Sequence, residues 1–199
     1  MTGEMEKHPF YRVGYPKGEP VRVDILEPMG PNGEPGLVVE YWPDEKGGEK
    51  PERKYVLPPA VMVAAFTPDG HAITAERPVP GFDGLQLVSG TFKMDDRDPI
   101  VVAERALLAK TGYKGKSLVI ASDFENTKRG TRRWYYVVIT DCEVVSEPTE
   151  KGSTRKEWGG FGAVRGAIIH RYLTEEVSRG HNSLIMADLA VQWWRQHGT

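Results

Sequence analysis

Residues 90–113 are GTFKMDDRDPIVVAERALLAKTGY, and this stretch contains the signals for both ends of a helix. Asp98 is a residue type that caps helix N-termini, and the following Pro99 suits the first helical turn. Gly112 suits the left-handed backbone conformation that ends many helices. The stretch therefore predicts a helix that starts after Asp98, continues through Lys110 and stops at Gly112.

Segments rich in β-branched and aromatic residues lie on both sides of this helix and predict strands. They are residues 21–27, 36–42, 54–57, 60–67, 71–78, 85–90, 116–122 and 133–145. The run 60–67, AVMVAAFT, is almost wholly apolar, as expected of a strand that is covered on both faces. A final helix is predicted after Asn182, where apolar residues recur at four-residue steps. This order of elements predicts an α/β (α+β) layered domain.

Two polar stretches are typical of loops. Residues 43–54, PDEKGGEKPERK, carry charges, glycines and prolines without an apolar side chain, which predicts a solvated loop. Residues 146–162 are polar and contain glycines, which predicts a second loop. The segment 167–172, AIIHRY, fits either a strand or a helix.

Composition narrows the class of protein. A chain of 199 residues with 39% hydrophobic residues is long enough for one globular domain with a core, with room for a small appended subdomain. The net charge of -2 gives no basic field, so we expect neither a nucleic-acid nor a membrane partner. The single cysteine, the polar N-terminus and the lack of a long apolar run predict a cytoplasmic protein.

The ending of the opening stretch, residues 105–113 (RALLAKTGY), resembles the Nudix box. That family pattern is a glycine, five residues, a glutamate, seven residues, Arg-Glu, an aliphatic residue, any residue, Glu-Glu, any residue, glycine and an aliphatic residue. The neighbouring segments 60–70 (AVMVAAFTPDG), 76–78 (ERP) and 86–90 (QLVSG) are similar, in the same order, to parts of ADP-ribose (ADP-sugar) pyrophosphatases. The chain thus resembles the Nudix hydrolase superfamily, and this branch most closely.

The resemblance implies an architecture. We expect a Nudix-like α/β/α sandwich with a mixed β-sheet and a small N-terminal β subdomain. The subdomain corresponds to residues 1–58 and the Nudix-like domain to residues 59–199. Members of this branch pair through the N-terminal subdomain, so the resemblance also implies a homodimer.

The box departs from the family at its carboxylates. The three helix positions that are glutamates in the family are Ala106, Ala109 and Lys110. In the family these spacings place carboxylates on one helix face, where they hold a divalent cation against a diphosphate. Counting from Gly90 places Asp96 at the earlier glutamate, whereas counting back from Arg105 gives a different residue. The sequence therefore predicts a degenerate metal site, with no metal ligands and no cofactor.

The resemblance assigns ligand contacts to Arg77, Gln86, Gly90 and Arg105. The carboxylates that remain as catalytic candidates are Asp96 and Glu157, which lie outside the helix. Glu157 is in the long loop where ADP-ribose pyrophosphatases often place a catalytic glutamate.

Three hypotheses follow. The chain binds a nucleotide diphosphate-type ligand with little or no standard hydrolysis, which is the one we favour. Alternatively, it is an active hydrolase of ADP-ribose or ADP-sugars with a rearranged metal site, which would need Mg²⁺. A third possibility is a structural or protein-interaction module. Metal catalysis of phosphoryl chemistry supplies several kcal/mol, and each ~1.4 kcal/mol is about tenfold in rate, so the missing carboxylates disfavour standard hydrolysis.

Overall fold

A computed structural model describes residues 20–30, 34–44, 46–76, 85–126, 130–174 and 181–198. Within these ranges the elements are β1 (Arg22–Glu27), β2 (Gly36–Pro43), β3 (Glu49–Val56), β4 (Ala60–Phe66), β5 (Ala72–Glu76), β6 (Leu85–Gln86), β7 (Val88–Thr91), α1 (Pro99–Thr111), β8 (Tyr113–Asn126), β9 (Gly130–Val144), β10 (Thr154–Trp158), α2 (Phe161–Thr174) and α3 (His181–His197). No helix in these ranges is long and apolar enough to cross a lipid bilayer.

The chain divides into two compact units, and the first combines three parts of the sequence. It contains the residues up to Ala60, together with Thr91–Arg97 and Ser122–Trp134. Here β1, β2 and β3 form an antiparallel meander. The end of β3 pairs in parallel with the start of β9, so this sheet is mixed. The predicted strands at 21–27 and 36–42 are confirmed.

The predicted loop at 43–54 is wrong, because β3 begins at Glu49. A turn precedes it, in which Asp44 Oδ1 accepts hydrogen bonds from the backbone N–H groups of Lys46 at 2.8 Å and Gly48 at 2.7 Å. The strand then pairs with β2 along its whole length, from Glu49 opposite Pro43. Its charged residues lie mostly on the solvent side, so a local composition typical of a loop is compatible with a strand.

The second unit contains Val61–Gly90, Asp98–Ala121 and the chain from Tyr135 onward. The hydrogen-bonded order in it is β9-β4-β5-β10, with β6 beside β5, β7 beside β4 and β8 beside β9. Every residue of β4 is buried, as its apolar run predicts. Both units are discontinuous in sequence, so they do not correspond directly to a single boundary along the chain. The predicted domain boundary between residues 58 and 59 therefore stays a prediction.

Helix α1 forms as its sequence predicts. The Asp98 side chain accepts a hydrogen bond from the Ile100 N–H at 2.8 Å, and Pro99 opens the first turn. Gly112 has φ of 76°, and its N–H donates to the Leu108 carbonyl and closes the helix. The last helical residue is Thr111, one residue beyond the predicted end at Lys110. Both helix ends are therefore fixed by local sequence.

The predicted loop at 146–162 is partly wrong, because it contains β10. This strand pairs antiparallel with β5, from Thr154 opposite Glu76 to Trp158 opposite Ala72. The partner lies about 80 residues earlier in the chain, so no local pattern marks the strand. The ambiguous segment 167–172 is helical and belongs to α2.

The last helix packs its aromatic residues on β4. The ring of Trp194 stacks on Phe66 with centroids 4.6 Å apart, and Trp193 lies 6.1 Å from the same ring. Phe161, at the start of α2, contacts Phe66 at 4.9 Å. The fully buried residues of the described part of α3 are Met186, Ala187 and Ala190, whereas Ile185 and Leu189 are half-buried. The side chain of Asn182, the predicted helix cap, lies outside the described residues.

Candidate functional site

Ala106, on the helix face where the resemblance implies carboxylates, packs against a strand of the second unit. Ala106, Ala109 and Lys110 are three and four residues apart, so they share one side of α1. Ala106 is only 8% exposed. A Cβ atom placed on Gly90 would lie 2.9 Å from the Ala106 Cβ and 3.3 Å from Val102. Gly90 thus permits a close approach of β7 to α1, which is a structural role.

The chain after β9 covers the end of the same face. The backbone N–H groups of Thr149 and Glu150 donate to the Ala109 carbonyl at 2.9 and 2.8 Å. They satisfy a carbonyl that has no partner within the helix. Lys110 Nζ lies 4.0 Å from Glu150 Oε2, and the two side chains are 17% and 32% exposed. The cation at position 110 therefore has a carboxylate partner of its own.

This face does not fit a divalent cation. Mg²⁺ requires several oxygen ligands, whereas Ala106 and Ala109 offer none and Lys110 is positively charged. In the part of the chain that the structure describes, no group of three or more His, Cys, Asp or Glu side chains is placed to hold a metal ion. We therefore derive no chemical step through a metal.

Glu157 belongs to a cluster of polar side chains on β10, in the turn between β4 and β5, and at the start of β8. The buried Tyr113 donates its hydroxyl to Glu157 Oε1. The other carboxylate oxygen, Oε2, lies 4.0 Å from His71 Nδ1, which is 3.1 Å from Asp69 Oδ2. Burial, reinforced by the hydrogen bond to Glu157, raises the pKa of Tyr113 to about 12. At neutral pH the Tyr113 phenol therefore keeps its proton and donates a hydrogen bond to Glu157.

A tight turn orders the exposed end of this cluster. The Thr67 hydroxyl donates to Asp69 Oδ1 at 2.5 Å and accepts from the His71 N–H at 3.0 Å. The Thr67 hydrogen bond lowers the pKa of Asp69, because it favours the charged form. The sequence named Glu157 but missed Tyr113 and His71 as its neighbours. No spacing signal could have found them, since residues 71, 113 and 157 are more than 40 residues apart in the sequence and meet only in the folded chain.

The other catalytic candidate, Asp96, lies in the Thr91–Arg97 segment of the first unit. Its carboxylate accepts a hydrogen bond from the Lys93 N–H at 2.7 Å, and its own N–H donates to the Lys93 carbonyl at 3.1 Å. Arg97 closes the same loop by donating to the Met94 carbonyl at 2.7 Å. This geometry shows Asp96 stabilising a turn.

The predicted ligand-binding residues have different outcomes. Arg105 lines a surface pocket of about 280 Å³ beside α1, together with Val101, Glu104, Leu107, Leu108, Lys114 and Gly115. The backbone of Gln86 pairs with Ala75, and its side chain lies outside the described residues. Arg77 lies outside them altogether. Ligand contacts at all four positions stay predictions.

Comparison with known proteins identifies the fold. No protein-family model and no curated protein matches the chain. Among solved structures, a crystal structure of ADP compounds hydrolase superimposes with a TM-score of 0.62 at 14% sequence identity, over 90% of this chain and 96% of the other. At this identity the likeness is one of fold. It confirms the predicted α+β architecture with a mixed sheet, which is consistent with a Nudix-like fold.

Proposed function

We propose that the chain binds a nucleotide diphosphate-type ligand, such as an ADP compound, and carries out little or no standard metal-dependent hydrolysis. The fold likeness to an ADP compounds hydrolase supports the ligand class. One observation supports the loss of hydrolysis most strongly: Ala106 is packed against Gly90, and Lys110 is paired with Glu150. In the proposed degenerate site, position 106 is therefore occupied by packing and position 110 by an ion pair, in addition to the missing carboxylates.

The size of the missing contribution supports binding over turnover. A divalent cation stabilises the charge of a phosphoryl transition state by several kcal/mol, and each ~1.4 kcal/mol changes the rate about tenfold. A lysine at the metal position adds repulsion. A site without the metal is thus expected to lose many decades of rate. Binding of the rest of the ligand depends on other contacts and is not subject to the same loss.

The test is a combined thermal-shift and turnover screen of the full chain. The probes are ADP-ribose, an ADP-sugar, NAD and a dinucleoside polyphosphate, each with and without Mg²⁺ or Mn²⁺. We expect a saturable rise in Tm with at least one probe, independent of the metal, and no release of AMP above background. Metal-dependent release of AMP at ordinary enzyme rates would refute the proposal. The absence of both responses would favour a structural or interaction module.

A matched pair of variants tests the helix face. Ala109→Glu with Lys110→Glu restores two carboxylates at partly exposed positions, and Ala109→Gln with Lys110→Gln changes the same positions without adding charge. If the missing carboxylates alone account for the proposed lack of hydrolysis, only the glutamate variant gains metal-dependent turnover. Ala106→Glu is unsuited to this test, because a carboxylate beside Gly90 would be buried.

The alternative, an active hydrolase with a rearranged site, is favoured by one observation. Glu157 accepts a hydrogen bond from Tyr113 and lies near His71, an arrangement that would suit a catalytic carboxylate. If turnover is found, Glu157→Gln and Asp96→Asn should each abolish it under this alternative. Turnover that is unaffected by both changes would reject the rearranged mechanism.

We also propose that the chain forms a homodimer through its N-terminal strands. Among the described strands, β1 ends the hydrogen-bonded order and pairs only with β2, which leaves one edge available. Size-exclusion chromatography with light scattering at micromolar concentration tests this, and a monomer would rule it out.

A further inference from the structure

A second pocket lies within the first unit, and its lining does not include the candidate site residues described above. It forms where β3 and β9 pair in parallel, with Tyr55 opposite Gly130, and we name it the β3–β9 pocket. Its volume is about 320 Å³, and it is lined by Pro35, Tyr55, Leu57, Glu125, Gly130, Thr131 and Arg132. A Cβ atom on Gly130 would lie 2.9 Å from the Tyr55 carbonyl oxygen, so a glycine is needed for the two strands to meet.

Arg132 supplies a cation that the described protein does not fully satisfy. Its Nε atom is buried and has no hydrogen-bond partner among the residues that the structure describes. Burial lowers the pKa of Arg132, and the charge of Glu125 opposes this shift. A buried donor without an acceptor carries a desolvation cost, and because Nε itself is inaccessible, a ligand in the pocket reaches Arg132 through the part of the side chain that lines it.

Glu125, the acidic residue of the same wall, is already engaged. Its Oε2 accepts a hydrogen bond from the Trp134 indole N–H at 2.8 Å. The Arg132 guanidinium carbon lies 5.4 Å from the centre of the Trp134 ring. Trp134 therefore contacts both charged side chains, and its indole reports on changes in the pocket.

The remaining wall is suited to an apolar body. Tyr55 is 55% exposed although it is a large aromatic residue, and Pro35 and Leu57 lie beside it. Small-molecule sites combine such apolar walls with a few polar groups that fix orientation, and they range over roughly 300–1,000 Å³. The β3–β9 pocket is at the small end of that range, which suits a ligand with one ring and not a dinucleotide.

We propose that the β3–β9 pocket binds a small organic anion, with its carboxylate or phosphate on Arg132 and its apolar body against Tyr55 and Leu57. Guanidinium groups bind both kinds of anion through paired hydrogen bonds, so this chemistry covers carboxylates and phosphate monoesters. The residues that line the pocket all belong to the first unit, and none of them is among the residues to which the resemblance assigns ligand contacts.

The test is NMR titration of the ¹⁵N-labelled full chain with benzoate, phenyl phosphate and benzyl alcohol. The readouts are the Arg132 Nε–H and Trp134 indole signals. We expect benzoate or phenyl phosphate to shift both signals to saturation at up to about 10 mM, and benzyl alcohol to bind at least about tenfold more weakly. Which anion binds better identifies a carboxylate or a phosphate site. Equal binding of the neutral alcohol, or no shift with either anion, would overturn the proposal.

Variants with opposite expected signs separate binding from damage to the fold. Arg132→Gln should weaken anion binding about tenfold or more, read at the Trp134 signal. Arg133→Gln removes the same charge from the opposite face of β9 and should leave binding unchanged. Glu125→Gln should tighten binding, because it removes a competing negative charge. Weaker binding by Glu125→Gln, or unchanged binding by Arg132→Gln, would contradict the proposal.

One further variant does not depend on a buried residue. Tyr55→Ala changes an exposed side chain, so the variant is expected to fold even if Arg132→Gln does not. It should weaken benzoate binding several-fold while leaving the weak affinity for inorganic phosphate unchanged, because only the apolar contact is lost. Unchanged benzoate binding in Tyr55→Ala would refute the assigned orientation.

Discussion

The two units differ in where charged side chains are found. In the first, Glu40 and Lys54 form an ion pair at 2.8 Å with side chains 0% and 6% exposed, although Lys54 ends a segment whose composition predicts a solvated loop. In the second, the α1 face where the family resemblance implies carboxylates carries two alanines and a lysine. Residue type alone therefore does not decide whether a charged side chain is buried or functional. The deciding factor is the partner residue that strand pairing and packing bring next to it.

The buried pair depends on the alignment of β2 and β3. Lys54 is opposite Val38, and Glu40 is opposite Glu52, so the two charges are diagonal neighbours across the strands. Trp42 adds a hydrogen bond from its indole N–H to Glu40 Oε2 at 3.1 Å. A buried carboxylate is stable only with such partners.

The largest effect is expected from breaking this pair. Lys54→Met leaves the Glu40 carboxylate buried without its cation, and should lower the free energy of unfolding by about 3–5 kcal/mol in chemical denaturation. The double variant Glu40→Gln with Lys54→Met should recover most of the loss. Lys50→Met, at an exposed pair in the same strand, is the control and should cost less than about 1 kcal/mol. Equal losses at positions 50 and 54 would show that burial of the pair is unimportant.

A smaller effect is expected at the packed face of the second unit. Gly90→Ala places a methyl group 2.9 Å from the Ala106 Cβ and should cost about 1–3 kcal/mol through overpacking. Gly159→Ala, where an added Cβ meets no atom within 4 Å, is the matched control. A Gly90→Ala variant as stable as the control would show that the face is open, and would revive the possibility of a ligand there.

The N-terminus of α1 should show a purely local effect. Asp98→Ala removes the cap on the Ile100 N–H and should lower the free energy of unfolding by about 1 kcal/mol. Asp95→Ala, three residues earlier in the chain, is the control and should have no comparable effect. If both variants lose the same stability, general charge and not capping is responsible.

The smallest effect concerns Tyr113 and depends on pH. Tyr113→Phe removes the hydrogen bond to Glu157 and should cost about 0.5–1 kcal/mol at neutral pH. The pKa of this phenol rises from 10.0 to about 12 on folding, so the unfolded state loses its proton first. The free energy of unfolding of the natural chain therefore falls as the pH rises from 10 to 12, and the variant lacks this contribution.

Chemical denaturation at about pH 8 and about pH 11 measures this difference. The stability gap between the natural chain and Tyr113→Phe should narrow at the higher pH. Glu157→Gln keeps an acceptor while removing the charge, so its alkaline loss should be intermediate, because burial of the phenol persists. A gap that widens with pH would contradict the sign of the shift.

The elements that the sequence predicts well are those with local causes. Asp98, Pro99 and Gly112 fix α1 to within one residue of its observed end, and the apolar run 60–67 predicts the buried β4. The missed parts are β10 and the first residues of β3, where the sequence predicts a strand only at 54–57. Their charged residues are typical of loops, and they form strands because β2 and β5 supply hydrogen bonds. The site shows the same division, since Glu157 was named and its contacts with Tyr113 and His71 were not.

The order of most elements and the limits of α1 follow from the sequence alone, as does the presence of Ala106, Ala109 and Lys110 where the resemblance implies glutamates. The packing of Ala106 beside Gly90 and the pairing of Lys110 with Glu150 are seen only in the folded chain. The same is true of the joint burial of Glu40 and Lys54 and of the place of Arg132 in a pocket. The two groups differ in the sequence distance over which the interactions act. Helix caps and apolar periodicity act over a few residues, whereas burial and charge pairing depend on contacts between distant parts of the chain.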